Sequence, residues 1–349
     1  MKKAICGVLA TMLFVCGCTG DVDNEDNKKR NYLGGVGKIH YTEGPCSIGG
    51  SYDDENVYVA DIDHMYRYTK DGDFMINCDI ATCSHDNTEC KAATMSGEYF
   101  VFGGRLYHYY NESDIVDAEI KESGFIRDCE TGEIVFTNTI PEGLDESKKL
   151  DKDTDIHYIT IINEDYIKVE GHWHAYILDT DFDLVCWYGD VGKWHWGHLY
   201  EDKFYYINDL YEMSYIDMTN GKTGTMGWDH KILFGGGDGE NLFYTDEFND
   251  FYRYSLKDGT RTKIGEDSLF FSVYDGSIYC YQIIDEVRKK VIMDYDGNIK
   301  FDYTENIHMG FDNLLKMGDK LYNIIHDGGK VGIAMMNLDG TDYKEVYLE

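Results

Sequence analysis

From about residue 37 onward the chain alternates apolar and polar positions with a period of two. Tyr66-Arg67-Tyr68-Thr69, Tyr254-Ser255-Leu256 and Met336-Asn337-Leu338 repeat one phrase, and each runs into an acidic turn ending in glycine: Lys70-Asp71-Gly72, Lys257-Asp258-Gly259 and Asp339-Gly340. Such alternation marks strands with two different faces, and glycine supplies the positive φ of a tight hairpin. No helix-period stretch of any length interrupts it. Gly221, Gly259 and Gly297 recur at intervals of 38 residues, and a fixed repeat of that length signals stacked supersecondary units. The pattern predicts an all-β fold, a β-propeller of seven four-stranded blades over residues 37–349. Six or eight blades also fit, and a linear β-solenoid is the rival architecture.

The first unit runs from Cys46 to Asp79, with strands near Asn56–Ala60, His64–Thr69 and Phe74–Cys78. The second has Tyr99–Phe102, Arg105–Tyr110, Gly124–Cys129 and Ile134–Thr137, and an acidic insertion, Glu112 to Glu122, lengthens its middle loop. The third has His157–Ile162, Tyr166–Glu170, His174–Leu178 and Leu184–Trp187. Two strands are readable in the fourth, Lys203–Ile207 and Met213–Asp217. The fifth has Ile232–Phe234, Asn241–Thr245, Phe251–Ser255 and Arg261–Ile264. The sixth has Leu269–Val273, Ser277–Gln282, Lys290–Asp294 and Ile299–Tyr303. The seventh has Leu314–Met317, Lys320–Ile325, Gly332–Asn337 and Tyr343–Tyr347. Segment Lys38–Glu43 is placed to add a strand to the last blade and close the ring.

The N-terminus changes the picture. Lys2 and Lys3 precede a short apolar run, Ala4 to Val15, and Val15-Cys16-Gly17-Cys18 is similar to a bacterial lipobox. Residues 1–18 therefore read as a lipoprotein signal with Cys18 lipidated, and residues 19–36 as an acidic flexible tether. An ordinary cleaved signal is the alternative. The expected location is extracytoplasmic, anchored to the cell membrane through Cys18. A net charge of −33 repels nucleic acid and anionic lipid headgroups; it suits the solubility of an exported protein and is compatible with cationic partners or divalent metals. Only Pro45 and Pro141 are prolines, and the 30 tyrosines suit strands.

The turn Asn337-Leu338-Asp339-Gly340-Thr341 and the stretch from Cys78 to Ala92 resemble the lipoprotein-anchored propellers of gut-type Gram-positive bacteria that carry a domain-of-unknown-function repeat. The resemblance implies a propeller and a surface location, and brings no established reaction. A looser likeness to TolB-type propellers implies protein partners.

Propeller geometry sorts the chemistry. Naming strands A to D from the axis outward, B–C loops and D-to-A crossovers share one face, while A–B and C–D turns share the other. The crossover from the first blade holds Cys78, Cys83, His85 and Cys90. With Cys46 these offer two disulfides in three connectivities, or a zinc site of thiolates and imidazole. Cys129, Cys186 and Cys280 fall in strands and read as small buried apolar groups. On the same face fall His157, His172, Trp173, His174, Trp194, His195, Trp196, His198, Trp228, His230 and His308. Histidines on neighbouring loops could hold a divalent metal, with Asp190 or Asp229 completing the shell, and no other cofactor is suggested. Tryptophans beside polar edges suit glycan stacking; plugging of the axial channel, or packing of blade against blade, accounts for the same residues without a ligand. Gly235 to Gly239 reads as an A–B turn without a following helix, hence no phosphate loop. No Ser-His-Asp order is readable. The expectation is a non-enzymatic binding module for a protein, peptide or glycan on one face. Its alternative is a carbohydrate-active enzyme or metal-binding propeller using the axial histidines, and a third reading is a purely structural module.

Overall fold

The computed structural model describes residues 50–52, 55–60, 64–78, 83, 98–116, 119–150, 154–163, 165–189, 197–266, 268, 271–310, 314–327 and 330–348. The signal and tether at 1–36, segment Lys38–Glu43, Cys46, His85, Cys90, Asp190, Trp194, His195 and Trp196 lie outside them.

Seven four-stranded antiparallel sheets follow one another along the chain. Blade 1 is β1 (Gly50–Tyr52), β2 (Asn56–Ala60), β3 (Met65–Thr69) and β4 (Phe74–Ile76); blade 2 is β5 (Glu98–Phe102), β6 (Arg105–Val116), β7 (Glu119–Asp128) and β8 (Ile134–Thr137). Blade 3 is β9 (Tyr158–Ile161), β10 (Ile167–Glu170), β11 (His174–Leu178) and β12 (Leu184–Gly189); blade 4 is β13 (Gly197–Tyr200), β14 (Lys203–Ile207), β15 (Met213–Asp217) and β16 (Lys222–Thr225). Blade 5 is β17 (Ile232–Asp238), β18 (Asn241–Asp246), β19 (Asp250–Ser255) and β20 (Arg261–Glu266); blade 6 is β21 (Phe271–Tyr274), β22 (Ser277–Ile284), β23 (Val287–Asp294) and β24 (Ile299–Asp302). Blade 7 is β25 (Leu315–Met317), β26 (Lys320–Asp327), β27 (Lys330–Asn337) and β28 (Lys344–Tyr347). The first strand of each blade is innermost: β13 lies against β17, β17 against β21, and β1 against both β5 and β25. That last pair of contacts closes a seven-bladed β-propeller.

The period-two pattern works as a sorting device. On β11, Tyr176 and Leu178 pack toward blade 2, while Ala175 and Ile177 pack toward blade 4. Successive residues of a strand point to opposite faces, so one strand feeds two seams. Seven apolar clusters fill the seven seams. The seam between blades 7 and 1 sets Val57, Val59 and Tyr68 against Leu315, Met317, Ile333 and Met335. Blade 7 takes all four strands from consecutive chain, so side-chain packing joins the ring there among the described residues. The seam between blades 1 and 2 is the thinnest among the described residues, with Met65 and Tyr99 at its centre.

Several sequence expectations are revised. Blade 1 gains Gly50–Tyr52 as its inner strand. The insertion from Glu112 to Glu122, expected as a longer loop, prolongs the β6–β7 hairpin, paired out to Val116 and Glu119. Gly235, Gly236 and Gly237 lie in inner strand β17, and only Gly239 is in the turn. A Cβ on Gly236 would strike Phe271, and one on Gly237 would strike His198. These glycines therefore exist for close approach between inner strands. Blade 4 gains β13, which moves His198 from a crossover into a strand.

Candidate ligand-binding face

Loops of the crossover face hold most of the predicted site residues, and the structure distributes them among separate clusters. The B–C turn of blade 3 is tight, the Gly171 N–H donating to the His174 carbonyl at 2.8 Å. It leaves His172 exposed, with its ring edge-on to Trp173 at 4.4 Å between centroids. His157 comes from the preceding crossover, 5.4 Å from His172 between ring centroids, and its N–H donates to the Glu170 carbonyl at 2.7 Å. The same crossover carries a short 3-10 turn, Glu146–Lys148, capped by Asp145. It brings the Lys148 ammonium to 5.8 Å from the Trp173 ring. An indole, two imidazoles and an ammonium thus meet at one point, of which His172 is the exposed member.

His174 belongs to the interior. It is fully buried, with Nε2 3.1 Å from Asn138 Oδ1, and Asn138 in turn donates to the Asp155 carbonyl at 2.8 Å. This chain of bonds pins the crossover between blades 2 and 3. His198 is also interior: its ring packs on Gly237, and Nε2–H donates to the Gly239 carbonyl at 2.8 Å. Burial holds its pKa down to about 4, so it is a neutral packing group. The sequence placed both histidines on the ligand rim; burial removes them from it.

Trp228 and His230 enter blade 5 and stack into the seam with blade 4. Trp228 lies 4.7 Å from Tyr244 and 5.7 Å from His230, with near-parallel rings, and the Arg261 guanidinium sits 3.9 Å over Tyr252. His230 Nδ1 is 3.0 Å from Asp229 Oδ1 and 3.2 Å from Arg261 Nη1. Protonated, that nitrogen donates to Asp229; bare, it accepts from Arg261. The hydrogen bond with His230 holds the Asp229 carboxyl below its ordinary range. His308 serves the last seam: Nδ1 is 2.9 Å from Glu345 Oε1, and the hydroxyls of Tyr343 and Tyr347 donate to the same carboxylate. Those donors, Tyr343 foremost, hold Glu345 below the usual carboxylate range.

Among the described residues no group of three or more His, Cys, Asp and Glu side chains is placed to hold a metal. No disulfide joins two described cysteines, so Cys78 and Cys83 are not bonded to each other. Pairings with Cys46 or Cys90, and a zinc site with His85, lie outside the described residues. Cys186 and Cys280 are buried in β12 and β22 as read from sequence, whereas Cys129 is half-buried just beyond β7. Burial pushes the Cys129 and Cys280 thiols up to about 12.

Sequence reading passed over two buried cations. Lys168 and Glu170 form an ion pair at 2.7 Å, both side chains almost wholly buried in the seam between blades 3 and 4. Lys290 donates to the carbonyls of Asn306 at 2.6 Å and Met309 at 2.9 Å, which fastens the crossover between blades 6 and 7. The first had a signal, opposite charges two apart in an apolar strand; the second had none, because its partners are backbone carbonyls.

No protein-family model matches the sequence, and no curated protein does. Solved structures overlap it loosely. BamB from Moraxella catarrhalis shares 11% identity over 79% of this chain and 82% of its own, with a TM-score of 0.44. TolB from Acinetobacter baumannii shares 10% over 70% and 80%, with a TM-score of 0.38. The computationally designed Ika8 protein shares 8% over 91% and 100%, with a TM-score of 0.45. The propeller assignment stands on the chain's own topology.

Proposed function

We propose that this chain is an extracytoplasmic lipoprotein, anchored through Cys18, whose propeller is a non-enzymatic binding module. Its crossover face takes a protein, peptide or glycan ligand. The observation that carries the reading is the tip of blade 3, where exposed His172 and half-buried Trp173, His157 and Lys148 converge on a turn fixed by backbone bonds. Rigid loops on a scaffold lose little entropy on binding, and an indole beside hydrogen-bonding edges suits a sugar ring or a planar side chain. Trp194, His195 and Trp196, which follow β12 in the chain, extend the proposal.

Glycan and peptide arrays probed with the protein, a His172→Ala/Trp173→Ala variant and a Trp194→Ala/Trp196→Ala variant test it. The expected result is a ligand class bound by the wild type and lost in the first variant. Equal binding by all three proteins rejects these tips as the platform. The anchor is tested separately: Cys18→Ala should shift the protein from the membrane fraction to the soluble one. Cys46, Cys78, Cys83 and Cys90 are proposed to pair as two disulfides on export, which a thiol count under denaturing, non-reducing conditions checks.

A further inference from the structure

The crossover face carries a second feature, on blades 4 to 6. The B–C turns of blades 4 and 5 are one structure built twice. Asn208 Oδ1 accepts from the N–H groups of Leu210 at 3.0 Å and Glu212 at 2.9 Å. Asp246 Oδ1 accepts from Phe248 and Asp250, both at 3.0 Å. The fourth residue of each turn, Tyr211 or Asn249, is left-handed, with φ of 65° and 64°. The same turn occurs on the opposite face at Asp179–Asp183 and Asp294–Asn298, and there its third position holds an acid, Asp181 or Asp296. On the crossover face that outermost position holds Leu210 and Phe248, 62% and 74% exposed. The hairpin tip of blade 6 adds exposed Ile283 and Val287, and the next crossover adds Ile307 at 71%.

These side chains stand on a connected frame. The Ile232 N–H donates to the Tyr211 carbonyl at 2.8 Å, and the Glu247 N–H to the Lys231 carbonyl at 3.0 Å, which joins the tips of blades 4 and 5. Ser268 joins blades 5 and 6: its carbonyl accepts from Thr245 Oγ1, and its hydroxyl donates to the Tyr281 carbonyl at 3.1 Å. Lys290 holds the loop of Ile307 by its neighbouring carbonyls. The other exposed large apolar side chains on strands, Ile134, Leu184 and Ile299, open the outer strands of blades 2, 3 and 6 on the opposite edge. Apolar side chains lifted into water on fixed supports mark an interaction surface.

Charge selects the occupant. Around the apolar tips stand exposed Asp209, Glu212, Glu247, Asp285, Glu286 and Glu305, against Lys231 and Arg288. A second copy of this chain, at net charge −33, and an anionic membrane would both be repelled. We infer that the exposed apolar tips of blades 4 to 6, with their acidic border, dock a protein partner that presents an apolar ridge flanked by lysine and arginine. The inference rests on the reading of the domain as a binding module and adds a place and a partner chemistry to it.

The test uses the full chain and a synthetic amphipathic peptide of leucine and lysine. A control peptide has the leucines replaced by serine. The expected result is saturable binding of the first peptide, weakened about tenfold or more by Leu210→Ser/Phe248→Ser. The control peptide should bind more weakly and show no such loss. Leu184→Ser/Ile299→Ser on the opposite edge should leave binding within about twofold. Equal binding by wild type and Leu210→Ser/Phe248→Ser overturns the inference, because charge alone then holds the peptide. So does a wild-type dimer that the substitution dissolves, or wild-type binding to anionic vesicles that it abolishes. Array binding lost on His172→Ala/Trp173→Ala would stand in any of these cases, so the two readings fail separately.

Discussion

At the scale of single residues, depth in the blade divides buried polar groups that hold the fold from exposed ones on the crossover face. His198 holds the fold. Its pKa is about 4 in the folded protein against an ordinary 6.5. A depressed folded pKa means that only the unfolded chain takes up the proton over this interval. The contribution is therefore complete above about pH 6.5 and is lost as pH falls toward 4, amounting to about 3 kcal/mol at most. His198→Gln should lower stability at neutral pH yet flatten the wild-type decline between pH 6.5 and 4, read as urea midpoints at several pH values. The Lys168–Glu170 pair behaves differently, since each charge compensates the other in a buried seam. Lys168→Met should cost about 3–5 kcal/mol by removing the cation that compensates the buried Glu170 charge, whereas Lys168→Met/Glu170→Leu should recover most of it. Denaturant curves of the two variants distinguish these outcomes. At this scale the sequence was least legible: His174, His198 and His172 look alike in a string, and only their depth in the blade separates packing from presentation.

At the scale of elements, legibility followed alternation. The middle strands, such as β14 and β18, were read almost to the residue, because two buried faces and a flanking turn leave few registers. The outer strand β16 was missed, since Lys222–Thr225 is exposed and lacks an apolar side. Inner strand β13 was missed because it is short and follows a tryptophan- and histidine-rich stretch that reads as a loop. The run Gly235–Gly237 was mistaken for a turn, since glycine for close approach and glycine for positive φ are indistinguishable in a string. Gly237→Ala tests the close-approach reading. Its new methyl would meet the His198 ring, and a loss of about 1–3 kcal/mol is expected. Gly239→Ala meets open space, although its positive φ still carries a strain. Thermal unfolding of the two variants should rank Gly237→Ala as the more damaging.

At the scale of the whole molecule, seven contiguous blades and seven apolar seams make a ring whose described ends meet through side chains. The repeat phrase made the blade count legible, but closure was not, because a seam between first and last blades leaves no mark in local sequence. Ile333, fully buried in that seam, is its test. Ile333→Ala should cost about 2–5 kcal/mol, as an interior truncation does, and unfolding should remain a single transition. A loss below about 1 kcal/mol would mean that the seam bears little of the ring's stability. The ring in turn supplies function with a face. Crossovers and B–C turns are bolted to their neighbours, and they lift His172, Leu210 and Phe248 into solvent together, with Trp173 half-buried beside His172. Side-chain oxidation footprinting, comparing the protein on intact producing cells with the purified chain, reads that face whatever the ligand's class. The expected result is protection of Trp173 and Phe248 on cells with Leu184 and Ile299 unchanged. Protection confined to Leu184 and Ile299, or none at any of the four, would contradict a binding function for the crossover face.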